Sequence, residues 1–91
     1  MRRVVIHVHG AVQGVGYRFS ARAAAQQIGV SGWVRNRSDG SVEGEIEGIP
    51  ERVDEMVAWM RRGPASAQVS AVDLVEVVPL GSSGFDVLPT R

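Results

Sequence analysis

The chain contains no cysteine and no lysine. Without cysteine there is no disulfide, no thiolate nucleophile and no cysteine-based metal centre. Without lysine there is no Schiff-base chemistry and no amine nucleophile. All ten basic residues are arginine, and ten acidic residues cancel them. The zero net charge removes the basic excess of a general nucleic-acid or membrane-surface binder, so any anion site has to be local. Aromatic residues are scarce, at two Trp, two Phe and one Tyr. There is no long hydrophobic run either. The N-terminal "MRRVVIHVHG" is interrupted by two histidines and is far too short to span a bilayer. A cytoplasmic location is therefore expected. The 91 residues suffice for one domain, 1–91, with a real core.

What is present is patterned. Val4, Ile6 and Val8 alternate with Val5, His7 and His9, which predicts a strand. Tyr17, Ala21, Ala24 and Ile28 form an apolar helical stripe that Gly29 ends. Phe19 lies opposite that stripe, which is expected to mean a later helix start or packing against a neighbouring loop. From Gly32, "GWVRNRSDGSVEGEIEG" predicts a hairpin turning at Asp39-Gly40. Its return strand alternates Val42, Gly44, Ile46 and Gly48 with Glu43, Glu45 and Glu47, giving one covered face and a solvated stripe of glutamates. A second helix opens on Pro50, carries Val53, Met56, Val57 and Met60 on one face, and stops at Gly63-Pro64. "AQVSAVDLVEVV" is β-rich, and "FDVL" makes a short last strand. Trp33 and Trp59 are expected in the core or at its edge. The order β-α-β-β-α-β predicts an α+β, ferredoxin-like sandwich: an antiparallel sheet with two helices on one face.

The stretch from Val12 to Arg18 carries the chemistry. Gly14 and Gly16 precede a helix whose first N–H groups have no internal partner. Glycines let such groups turn inward and grip an anion, to which the helix dipole adds. Arg18 falls in the first turn, where the positive dipole end disfavours a cation. A bound anion removes that conflict, and the planar guanidinium suits phosphate oxygens. The loop is also compatible with a tight β-to-α turn with Arg18 pointing to water. It is not a Walker A loop, because GK[ST] is missing, and a third glycine for a dinucleotide fingerprint is missing too.

Asn36, between Arg35 and Arg37, stands at the end of a strand, where asparagine is depleted. It either shapes the turn or uses its amide to hold a water and a phosphoryl oxygen together. His7 and His9 share one strand face, but spacing suggests no third ligand, so no metal site is expected. A base-stacking RNA binder is disfavoured, since the first strand has no aromatic and the third carries three glutamates.

"GAVQGVGYRFSA", "GWVRNRSDGSVEGEIEG" and "RRGPASAQVSAV", taken together and in order, resemble the acylphosphatases. The resemblance spans nearly the whole chain. It implies the ferredoxin-like fold and hydrolysis of the carboxyl–phosphate anhydride to a carboxylate and inorganic phosphate, with no metal and no cofactor. The substrate it implies is a small acyl phosphate; a cytoplasmic monomer engaging neither nucleic acid nor membrane is expected. By motif position, Arg18 and Asn36 are the implied catalytic residues, binding phosphate and orienting the nucleophilic water respectively. The backbone of Gln13, Gly14, Val15, Gly16 and Tyr17 is the implied phosphate cradle together with Arg18. The chain departs from the family pattern at Tyr17, where phenylalanine is frequent, at Arg37, where a small hydroxyl residue is common, and at Ser41, where threonine is common.

Overall fold

The computed structural model describes all residues, Met1–Arg91. The elements run β1 (Arg2–Ala11), α1 (Tyr17–Ile28), β2 (Ser31–Asn36), β3 (Val42–Gly48), α2 (Pro50–Arg62), β4 (Gln68–Val77) and β5 (Phe85–Val87). The sheet order is β4-β1-β3-β2-β5. The first four strands pair antiparallel, as expected of the split β-α-β plan. The short β5 adds to β2 in parallel, so the complete sheet is mixed.

Strand alternation divides the sheet cleanly. Val4, Ile6 and Val8 on β1, Val34 on β2 and Val42 and Ile46 on β3 are fully buried under the helices. α1 buries Tyr17, Ala21 and Ala25, and α2 buries Val53, Met56, Val57 and Met60. α1 begins at Tyr17, so Phe19 is not explained by a later start. It is 56% exposed, lying beside the guanidinium groups of Arg18 and Arg22 at 5.8 and 5.3 Å.

The open face corrects the expectation of a solvated glutamate stripe. Glu47 is only 1% exposed. It accepts from the Leu80 and Gly81 N–H groups at 2.7 and 2.9 Å and from Arg3 at 3.1 Å. Arg3 also donates to Glu45 at 2.7 Å, while Arg35 and Arg37 both reach Glu43. Arginines on the flanking strands thus face each glutamate, and the ladder is paired rather than solvated. Trp33 belongs to this face and not to the core, stacked 4.8 Å from the Arg35 guanidinium. Trp59 does sit at the core edge, against the Tyr17 ring at 5.7 Å.

One side-chain contact ties the start of α1 to the rest of the fold. The buried Tyr17 hydroxyl donates to the Met60 carbonyl at 2.6 Å, satisfying one of the carbonyls that end α2 without a helical partner. Burial pushes the Tyr17 pKa up, so the hydroxyl stays a donor. The N-terminus of one helix is thereby pinned to the C-terminus of the other.

Tyr17→Phe keeps the packing and leaves the Met60 carbonyl unpaired. The expected cost is about 1–2 kcal/mol in a denaturant melt. The Glu47 carboxyl is held below its ordinary value of 4.5, chiefly by the Leu80 N–H, with Arg3 and Gly81 adding to it against the effect of burial. A lowered acid stabilises the fold above its unfolded pKa, and that contribution is lost as pH falls through the folded value. The thermal midpoint should therefore fall below about pH 4.5. Glu47→Gln should start from a lower neutral midpoint and show a smaller acid-side fall.

Candidate active site

The segment from Val12 to Gly16 connects β1 to α1 without regular structure. Gly14 and Gly16 have φ of 74° and 77°, while no non-glycine residue in the chain has a positive φ. The backbone thus changes sign at alternate residues, which turns successive N–H groups toward one concavity. A Cβ at either glycine would meet no atom within 4 Å. The requirement for glycine there is conformational, not one of space.

None of the backbone N–H groups from Gln13 to Phe19 donates to a backbone acceptor. The first that does is Ser20, to the Gly16 carbonyl at 3.0 Å. Gly16 caps α1 without a side-chain bond, and the first turn contains no acidic residue. Arg18 makes no ion pair, although eight others link basic to acidic side chains. Donors and a free guanidinium are therefore collected at one helix end, with no anion of the chain itself to answer them.

Side chains from distant segments hold this loop. The Gln13 amide donates to the carbonyls of Arg37 and Ser41 at 2.7 and 2.8 Å. That anchors the loop to the β2–β3 turn, whose last ladder pair is Asn36 with Val42. On the other side, Ser66 donates its hydroxyl to the Val15 carbonyl at 2.8 Å. Both anchors use carbonyl groups or side chains and leave the loop N–H groups free. Gln13 was expected to contribute only its main chain, and the side-chain anchor was not legible in the motif.

Asn36 lies two residues beyond the core Val34 and so on the helix-covered face of the sheet. Its neighbours Arg35 and Arg37 project to the opposite face, where Glu43 takes both. Burial pushes Glu43 up, but Arg35 and Arg37 outweigh it and hold the carboxyl below its ordinary range. The Asn36 carbonyl accepts from the Arg91 N–H at 3.0 Å, so the C-terminal residue steadies its backbone. Its side-chain Oδ1 is the one buried side-chain polar atom without a hydrogen-bond partner. Buried amide oxygens are rarely left so, and the exceptions are commonly sites of chemistry or water binding. A turn-shaping role would have placed that oxygen on the turn's own N–H groups. Asp39 does this instead, accepting from the Ser41 N–H at 3.0 Å and from its hydroxyl.

The structure thus brings the Gln13–Arg18 loop against the strand end that carries Asn36. His7 and His9 stand on the other face of the sheet and do not join them. The largest concavity, about 340 Å³, lies at the far end of the strands among Gly29, Ser31, Gly48 and Arg52, and shares no residue with the loop.

Comparison with known proteins identifies the family and the fold. The family model described as Acylphosphatase matches residues 4–87. An acylphosphatase of Azoarcus sp. is 48% identical over 86 residues, covering 94% of this chain and 88% of the relative. One from Thermococcus kodakarensis is 47% identical over 90 residues, covering 97% and 99%. The crystal structure of acylphosphatase from Bacillus subtilis superposes with a TM-score of 0.92 at 32% identity, covering 97% of this chain and 99% of that one. With the fold and the family match in agreement, this chain belongs to the acylphosphatase family.

Proposed function

We propose that this chain hydrolyses the carboxyl–phosphate bond of small acyl phosphates without metal or cofactor. The reading assigns phosphoryl binding to the N–H groups of Gln13, Gly14, Val15, Gly16 and Tyr17 and to Arg18, and water positioning to Asn36. The observation that carries it is the buried, unpartnered Oδ1 of Asn36 beside a loop of unpaired N–H groups.

The chemistry asks little of the protein. The water oxygen forms a bond to phosphorus while the bond from phosphorus to the acyl oxygen breaks. The carboxylate departs with the electron pair and, being a weak base, needs no general acid. The water proton passes to a phosphoryl oxygen, so no side-chain base is required. Through a loose transition state, catalysis rests on positioning and charge stabilisation. Arg18 and the loop N–H groups stabilise the charge on the equatorial oxygens. The Asn36 amide accepts from the water through Oδ1 and donates through Nδ2 to a phosphoryl oxygen, holding both reactants in line. In this reading residues 1–91 act as one acylphosphatase domain, a cytoplasmic monomer; no helix is long and apolar enough to cross a membrane. Neither nucleic acid nor membrane is a partner in this reading.

Turnover of benzoyl phosphate in EDTA, beside a phosphate monoester that should not be cleaved, tests the assignment. Asn36→Ala should lower kcat by roughly 10²–10³ with KM little changed, as for loss of one preorganised polar group. Arg18→Ala should lose both turnover and competitive inhibition by inorganic phosphate. Near-normal hydrolysis by either folded variant would remove the role given to that residue, and a strict metal requirement would remove the mechanism.

A further inference from the structure

His7 and His9 are two apart on β1 and project from the same, open face of the sheet. The β1–β4 register places Asp73 directly opposite His7. One ligating atom from each of the three lies within 4.8 Å of the others. His9 Nε2 is 3.1 Å from Asp73 Oδ2, and the two imidazole centroids are 4.2 Å apart. The strand supplies two metal-ligating groups and its neighbour supplies a third.

We propose that His7, His9 and Asp73 form a site for a divalent transition-metal ion of the zinc, nickel and copper class, separate from the acyl phosphate site. Two imidazoles and a carboxylate suit these ions, whereas magnesium and calcium prefer oxygen-only sets. A tetrahedral ion with bonds of about 2.0–2.1 Å sets its donors about 3.3 Å apart, close to the observed His9–Asp73 separation. The rest of the closure falls to side chains free to turn: His9 and Asp73 are 38% and 72% exposed.

The surroundings prepare His7 for ligation. Ser41 gives its hydroxyl proton to Asp39, so its Oγ is left to accept from His7 Nε2–H, at 2.6 Å. With the Nε2 hydrogen committed to Ser41, Nδ1 is the His7 nitrogen left to ligate. Histidine ligands are commonly oriented in this way by a partner on the second nitrogen. Glu43, opposite His7 on β3, is already taken by Arg35 and Arg37 and does not compete. Three protein ligands on an open face leave the remaining positions to water.

Calorimetric titration of the untagged, EDTA-stripped chain with Zn²⁺ or Ni²⁺ tests this. One ion per chain should bind with micromolar affinity, and Mg²⁺ should not bind. His9→Ala, at a half-buried position, and Asp73→Asn, at an exposed one, should each weaken binding at least about tenfold, as loss of even an orienting partner costs about 10–100-fold. Glu51→Gln, on the exposed start of α2, should leave binding unchanged. Paramagnetic Ni²⁺ should broaden the ring signals of both histidines. Absence of saturable binding by either ion, or binding that survives both His9→Ala and Asp73→Asn, would overturn the proposal. The readout is metal binding and not turnover, so it stands or falls independently of the hydrolytic reading.

Discussion

The backbone N–H groups from Gln13 to Phe19 are taken by no acceptor of the chain, and most other features of the site follow from that. A helix start of this kind repels a cation by about 0.3–1 kcal/mol. Yet Arg18 is placed in its first turn with no carboxylate to offset the cost. A hydrogen bond to a charged group contributes about 1.5–3 kcal/mol. A phosphoryl dianion that takes even two of the free amides, along with the guanidinium, reverses the balance. On the proposed reading, the unfavourable arrangement in the free chain is what makes the bound one selective for anions.

Such a loop works only if its shape is settled beforehand, and its own residues cannot settle it. The fold does so from three remote places. Gln13 reaches the β2–β3 turn, Ser66 reaches Val15, and the end of α2 receives the Tyr17 hydroxyl. Asn36 is steadied by Val42 across the ladder and by the Arg91 N–H. The ion-paired ladder on the open face serves the same end. Arg35 and Arg37, the chain neighbours of Asn36, are held by Glu43 and cannot fold over to occupy its amide.

Local chemistry was legible from the chain, and long-range pairing was not. The α2 stripe of Val53, Met56, Val57 and Met60 is the buried stripe of the structure, because a helix reports its own period. The positive φ of Gly14 and Gly16 and the helix start just ahead of Arg18 are legible because φ preference and dipole are properties of a few adjacent residues. For Asn36 the residues leave a turn role and a water-holding role open, and the family resemblance implies the second. Glu47 was misjudged as solvated because its partners, Arg3 and the Leu80 and Gly81 N–H groups, come from other parts of the chain. Trp33 was misplaced for the same reason: its face is set by strand register, and an exposed-looking arginine covers it. Asp73 beside the histidines and Gln13 as an anchor are likewise contacts that only pairing of distant segments creates.

The central claim is that main-chain amides and one guanidinium hold the phosphoryl group. Amide-resolved NMR during titration with inorganic phosphate measures this most directly. The account predicts saturable downfield shifts of the Gly14, Val15, Gly16, Tyr17 and Arg18 N–H signals, abolished in Arg18→Ala. Loop signals that stay fixed while phosphate shifts residues elsewhere would contradict it.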